Sequence, residues 1–388
     1  MPIYKVNGSK KDGLQKYHVR INYISCDGKF KQLTRTAYGS EAAKDLEAKL
    51  QNDIKAKQVS SDSKKTIDKL FNEYIATKKH DVRKTTYLRY EQLYGLYIKP
   101  ELEKVKIYKL TIPKLQEWKM YIEKLGIGLT TRNHAYAVLR ILLNYAVKME
   151  YIPKNPLIAI GCFKDATHEK TEMGYYTPEE FLQYISVARD YASKQQAECN
   201  SLFEWDFYVF FNIAFYTGLR KGEILALKWS DIDGEYITVS RSVNQKVRGG
   251  DVEGPPKSKS SNRTLQIPLP LISILDEHRS RQEENLCHFS GEFRICGGES
   301  SIRDTVVCNK NIRYAKLSGQ KKIRVHDFRH SHVSVLANEG INIQEIARRL
   351  GHSKVEMTWN TYSHLYPREQ EKAVSVLNEI VLLQSTAS

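Results

Sequence analysis

An unbroken helical pattern from Thr66 to about Ile160 constrains this chain most. Leu70, Tyr74 and Ile75, then Tyr87, Tyr90 and Leu93, then Leu115, Trp118 and Ile122, and finally the run from Tyr136 to Val147 recur at the spacing that lines one face of a helix with apolar side chains. Tyr151-Ile152-Pro153-Lys154-Asn155-Pro156 closes the pattern, because two prolines so close together cannot continue a helix. Residues 61–160 therefore form an all-helical domain. A chain of 388 residues then needs further cores on both sides of it.

Upstream, Lys16 to Ile24 and Lys29 to Thr36 are strand-like and are separated by the turn signal Cys26-Asp27-Gly28, which reads as a hairpin. Ser40 is a candidate N-cap for a helix with Ala43, Leu46 and Leu50 on one face, and the polar run Gln58 to Lys65 reads as a linker. Residues 1–60 thus hold a small sheet, a helix and a linker. Downstream, the polar stretch Lys164 to Thr171 places an interdomain linker at 161–175. The last domain, 176–388, mixes helices with a short strand region. Thr177-Pro178-Glu179-Glu180 is a helix start, Tyr236 to Ser240 and Arg263 to Pro268 are strands, and helices return from His326 onward. The tail from Glu369 to Leu383 carries Ala373, Leu377, Ile380 and Val381 at helical spacing, which by itself would serve to cover its own domain. The fold class is multidomain, mainly α with small β parts.

Charge divides along the same boundaries. Residues 1–160 hold 31 Lys or Arg against 16 Asp or Glu, a net of +15, whereas residues 161–388 hold 29 of each. A basic front half suits a polyanion, since phosphate contacts by Lys and Arg release counterions, although a merely solvated basic surface would look the same. The six cysteines form no CxxC pair, which argues against a disulfide framework or a cysteine zinc site. No run of about 18 apolar residues and no apolar stretch at the amino terminus point to a membrane or to secretion, so a cytoplasmic protein is expected.

Four segments of the last domain offer chemistry: Thr217-Gly218-Leu219-Arg220-Lys221-Gly222-Glu223, Pro256-Lys257-Ser258-Lys259, His326-Asp327-Phe328-Arg329-His330, and Leu350-Gly351-His352 with Tyr362 ten residues later. A phosphodiester under attack gains charge on its equatorial oxygens, and Arg220 and Arg329 are the candidates to hold it, because a guanidinium bonds two oxygens at once and stays charged. Tyr362 is the candidate nucleophile. A phosphotyrosyl ester stores the bond energy, so a strand can be rejoined without ATP or metal. Its phenol needs help to lose a proton, and His352 accepts a hydrogen bond from it or orients the phosphate. The leaving 5′ oxygen needs a proton from a general acid, for which Lys257 is the first choice and Lys259 the second.

The segments TGLRKGEILALKWSDID, PKSKSSNRTLQIPLP, HDFRHSH and LGHSKVEMTWNTYSH resemble the catalytic domain of the tyrosine recombinases, the phage and conjugative-transposon integrases in particular. All six positions of that family's catalytic set are filled, by Arg220, Lys257, His326, Arg329, His352 and Tyr362. Lys84-Thr85-Thr86-Tyr87 to Pro100-Glu101-Leu102 and Leu129-Thr130 to Asn155-Pro156 look like its helical core-binding domain, with Lys84 and Arg132 as DNA contacts. Residues 1 to about 55 look like the three-stranded arm-binding domain of some of its members. The resemblance implies a mobile-element integrase that cleaves and rejoins double-stranded DNA through a 3′-phosphotyrosyl link without a cofactor. It further implies core and arm attachment sites, a homotetramer on DNA, an accessory excisionase or host DNA-bending protein, a bacterial nucleoid association when bound, and a tail helix docked on a neighbouring subunit.

Blander readings stand beside these. Arg220 alone would be a solvated helix-end arginine, Tyr362 is one of 24 tyrosines, and Glu223 is either a surface charge or a brace for Arg220. His326 and His330 sit at the i, i+4 spacing of a metal pair, yet no third ligand is marked, so no metal is expected. Arg20, Asn22, Lys31 and Arg35 alternate on strands and either read a major groove or form a solvated sheet face. Two other functions compete: a type IB topoisomerase with the same chemistry, and a DNA-binding protein that has lost catalysis.

Overall fold

The computed structural model describes residues 3–11, 13–24, 30–55, 65–164, 173–245, 251–255, 259–363 and Val374. The turn Cys26-Asp27-Gly28, most of the polar runs at 58–65 and 164–171, Lys257, and the tail from Glu369 to Leu383 apart from Val374 lie outside the described residues. The chain divides into two compact units, Met1–Glu169 and Lys170–Ser388.

The first unit opens with an antiparallel sheet of three strands, β1 (Ile3–Lys11), β2 (Leu14–Ile24) and β3 (Phe30–Tyr38), followed by helix α1 (Ser40–Lys55). The register pairs Val19 with Arg35, Arg20 with Thr34 and Asn22 with Gln32. Opposite residues of a ladder share a face, so Val19, Ile21 and Ala37 turn toward Ala43 and Leu50 of α1 in a small core, while His18, Arg20 and Asn22 occupy the other face.

A separate helical core follows. It is built by α2 (Ile67–Lys78), α3 (Lys84–Leu93), α4 (Lys99–Leu102), α5 (Ile112–Lys124), α6 (Leu129–Lys148) and α7 (Leu157–Ile160). The helix of α3 widens into a π turn at Tyr94–Ile98 just before Pro100 restarts it, a local adjustment to a residue that has no N–H to give. Trp118 is fully buried and donates its indole N–H to the Tyr97 carbonyl at 2.8 Å. Glu73 gathers Lys65, Tyr145 and Tyr151 at 2.7–3.0 Å, which ties the start of this domain to its end.

The second unit begins with α8 (Pro178–Cys199), whose capping box is complete: Thr177 Oγ1 accepts from the Glu180 N–H and the Glu180 carboxylate accepts from the Thr177 N–H. Helix α9 (Phe203–Thr217) is buried on all sides, as a helix with apolar residues all round must be. After α10 (Lys221–Ile224) come β4 (Ile232–Asp233), β5 (Tyr236–Val239), β6 (Ser242–Asn244), β7 (Val252–Gly254) and β8 (Arg263–Gln266). They pair as an antiparallel β4-β5-β8 sheet and a β6-β7 ladder. Helices α11 (Leu269–Asn285), α12 (Asp304–Leu317), α13 (Asp327–Asn338), α14 (Ile343–Leu350) and α15 (Val355–Tyr362) follow. Phe328 anchors α13 in the core, its ring 5.2 Å from Phe211 of α9 and 5.4 Å from Tyr184 of α8. Among the described residues no helix is long and apolar enough to cross a membrane.

Candidate active site

The site starts where α9 stops. Gly218 takes the left-handed conformation (φ +63°) that ends the helix, and a Cβ there would lie 2.7 Å from the His332 ring, so both backbone and space demand glycine. The turn frees the Gly218 carbonyl and presents Arg220 at the head of α10. Glu223, almost fully buried, accepts from the Arg220 N–H at 3.0 Å and from its guanidinium at 2.9 Å. On its other side it accepts from Arg263 at 3.0 Å. Arg263 is itself buried and donates to the carbonyls of Ser261 and Arg349, which ties β8 to the end of α14.

Arg329, on the first turn of α13, is 3% exposed. It donates to the Gly218 carbonyl at 2.9 Å, to the Leu350 carbonyl at 2.7 Å, and to His352 Nε2 at 2.8 Å. A guanidinium can only donate, so His352 Nε2 accepts and its proton sits on Nδ1, which donates to Thr358 Oγ1 at 2.8 Å. Burial, then the charge of Arg329, hold the His352 pKa down to about 4, in keeping with this neutral form. Left-handed Gly351 makes the bend between α14 and His352.

Tyr362 ends α15 and is buried against Val333, Ala337, Ile346 and Leu350. Its hydroxyl lies 2.5 Å from His330 Nδ1. Burial raises the phenol pKa to about 12, with the Arg329 charge opposing. Burial, followed by His326, lowers that of His330 to about 4. His326 stands at the start of α13 with its ring edge-on to His330, 5.4 Å between centroids, and burial followed by Arg329 lowers its pKa as well.

Three guanidiniums, those of Arg220, Arg263 and Arg329, face the single carboxylate of Glu223. Burial disfavours the charged form of Glu223, yet the charge and hydrogen bond of Arg263, with help from Arg220, outweigh it and keep the carboxyl below its usual range. Burial and then the Arg220 charge lower the Arg329 pKa to about 9. Two cations held together, Arg329 buried and Arg220 part-exposed, are what a phosphodiester would relieve.

Two family models match this chain: the phage integrase family over residues 190–369, and the phage integrase N-terminal SAM-like domain over residues 66–122. The chain belongs to the phage integrase family of tyrosine recombinases. It is 27% identical over 378 residues to the ICEBs1 integrase of Bacillus subtilis, covering 96% of this chain and 98% of that protein. It is 28% identical over 399 residues to a XerC-like tyrosine recombinase of Caldanaerobacter subterraneus, with the same coverage. The fold is also that of the Tn1549 transposon integrase solved with a circular-intermediate DNA, at a TM-score of 0.64 and 19% identity, over 81% of this chain and 99% of that one. A lambda integrase tetramer bound to a Holliday junction matches at 0.55 and 17% identity, over 95% of each chain. The enzyme is thus a site-specific recombinase of the mobile-element type, as its motifs imply.

In this recombinase Arg220 pairs with Glu223 and Arg329 with His352, each pair within the other's electrostatic field, and Tyr362 meets His330, the residue after Arg329. Lys257 lies outside the described residues, and Lys259 opens a short 3-10 turn that leads into β8. Among the described residues no group of three or more His, Cys, Asp or Glu side chains is arranged to hold a metal, and the His326–His330 pair meets as ring edge to ring face. The four strand residues divide: Arg20 and Asn22 share the face away from α1, whereas Arg35, paired with Val19, and Lys31, paired with Tyr23, belong to the α1 side. Lys84 is exposed at the start of α3, and Arg132 donates its Nε–H to the Ile127 carbonyl at 2.7 Å. Sequence reasoning overlooked Arg263, His330 as a partner of Tyr362, and Thr358. For His330 the one available signal was its place directly after Arg329.

Proposed function

We propose that Tyr362 Oη attacks a DNA phosphate gripped by Arg220 and Arg329, leaving a 3′-phosphotyrosyl link and a 5′ hydroxyl. Glu223 fixes Arg220, His352 fixes the Arg329 fork, His326 lies at the rim, and Lys257, with Lys259 second, protonates the departing 5′ oxygen. The placing of Arg220, fixed by Glu223, within the field of the buried Arg329, with a buried tyrosine reached through His330, carries this reading. Such preorganised cations are typically worth about 10²–10³ in rate each.

The wider reading is of an integrase acting as a homotetramer on double-stranded core and arm attachment sites, in the bacterial cytoplasm, with an excisionase or DNA-bending protein as accessory. The basic first 160 residues and the polar sheet face of His18, Arg20 and Asn22 support it. The reading includes the divisions 1–60, 61–160, 161–175 and 176–388 and a tail helix docked on a neighbouring protomer. A nicked suicide duplex tests the chemistry: the native chain should trap a covalent DNA adduct and Tyr362→Phe should trap none. Equal trapping by both would remove Tyr362 from the role.

A further inference from the structure

Proton removal from the nucleophile has no owner in the scheme above. The Tyr362 phenol is buried and its proton cannot pass to bulk water. His352 is not free to take it, since Nε2 accepts from Arg329 and Nδ1 donates to Thr358. His330 is placed for it. Its Nδ1 lies 2.5 Å from Tyr362 Oη, and the two rings stand 5.4 Å apart between centroids. Its Nε2 points toward the buried carboxylate of Asp327, 3.8 Å away. A lone pair on Nε2 would be repelled by that carboxylate, so the proton belongs on Nε2 and Nδ1 is left as the acceptor. Asp327 is fixed in turn by the Arg324 backbone N–H at 2.7 Å and by its guanidinium. The groups facing His330 are therefore His326, Asp327, Arg324 and Arg329 from its own helix and the chain just before it, and Tyr362 from α15.

We propose that His330 is a further catalytic residue, the base that takes the Tyr362 hydroxyl proton on Nδ1 during cleavage and returns it during rejoining. The proposal rests on the reading of Tyr362 as nucleophile. In cleavage the Oη–P bond forms, the P–O5′ bond breaks, the phenol proton passes to His330 Nδ1, and O5′ departs with a proton from the general acid. In rejoining, the 5′ hydroxyl gives its proton back to that acid as it attacks phosphorus, and Oη leaves and recovers its proton from His330. A positioned base of this kind contributes about 10²–10⁴ in rate.

The test uses the full chain and nicked duplexes bearing the attachment core read from the DNA that flanks its gene. One duplex has oxygen at the bridging 5′ position of the scissile phosphate, and the other has sulfur, which departs without a proton. Adduct formation is timed from pH 5 to pH 9 for the native chain, His330→Gln, His330→Ala and Tyr362→Phe. Both His330 variants should lose about 100-fold or more at neutral pH on both duplexes, with rates that climb as hydroxide replaces the base, while duplex binding stays native. Glutamine keeps the size and a hydrogen bond but cannot carry the proton, so near-native cleavage by His330→Gln would reduce His330 to a packing role and overturn the proposal. A defect that vanishes on the sulfur duplex would also overturn it, because that would put His330 on the leaving-group side. An adduct with Tyr362→Phe would instead bring down the nucleophile reading, whatever His330 does.

Discussion

Glu223→Gln probes the joint that ties Arg220 to Arg263. Glutamine matches the shape but turns an NH2 toward one of two guanidiniums and removes the charge that balances them. Arg220 is 37% exposed along its side chain and can rehydrate, so little stability rests on that half of the pair. Arg263 is 6% exposed and cannot, so the cost lies there. Breaking a buried pair from one side typically costs about 3–5 kcal/mol, and the retained amide oxygen puts this case near the lower end, about 3 kcal/mol. With a urea slope of about 2–3 kcal/mol/M, the unfolding midpoint of the catalytic unit should fall by roughly 1–1.5 M. Hydrogen exchange of peptides spanning α9 and α13 in rising urea would read that unit separately from the front domains. Cleavage should fall about 100-fold as well, since Arg220 loses its aim. Adding Arg263→Met should restore part of the stability, because the stranded charge is then gone and the two losses are not additive. A midpoint within about 0.3 M of native, with adduct formation within about threefold, would show that Glu223 is not the joint described.

Two other outcomes follow from the same geometry. His330 and His352 are held down to about 4 and His332 to about 3, below the ordinary value of about 6.5 that the unfolded chain has. The unfolded state then binds more protons between these values, so stability is full above about pH 6.5 and declines as pH falls toward 4. Thermal midpoints should drop already between pH 6.5 and 5, above the range where carboxylates titrate, and a flat profile there would refute the neutral assignments. On the front sheet, Arg20→Ala should weaken arm-site DNA binding about tenfold and lower its salt dependence by roughly one ion. Arg35→Ala, on the α1 side, should do much less, and the reverse order in a titration would show that the other face meets DNA.

What could be read from sequence was whatever a short motif or a long periodicity carries. The helical stretch 66–160 announces its own core, and TGLR, HDFRH and LGH with Tyr362 declare the family. Strand β1 was not visible in the residues themselves, because IYKVNGSKK lacks alternation and its pairing with β2 slips between Lys5 and Lys10; only the family resemblance supplied a third strand. Arg263 could not be told from a solvated arginine, since its importance lies in burial against Glu223 and Arg349, partners 40 and 86 residues distant. His330 was obscured by a spacing that metal pairs and plain helices share. Strand alternation grouped Arg20, Asn22, Lys31 and Arg35, but only the register says which of them share a face.

The crowding of cations around two neutral histidines has a thermodynamic corollary. Burial first keeps both histidines weakly basic, followed by the field of His326, Arg324 and Arg329 around His330 and of Arg329 and Arg220 around His352. A phosphate that cancels part of that field raises their affinity for protons, and reciprocity requires that protons in turn favour the phosphate. If His330 is the base proposed above, it would be a poor one until the target phosphate is bound and a better one afterwards. On the proposed reading, the DNA backbone itself would arm Tyr362, whose phenol is otherwise held protonated by burial.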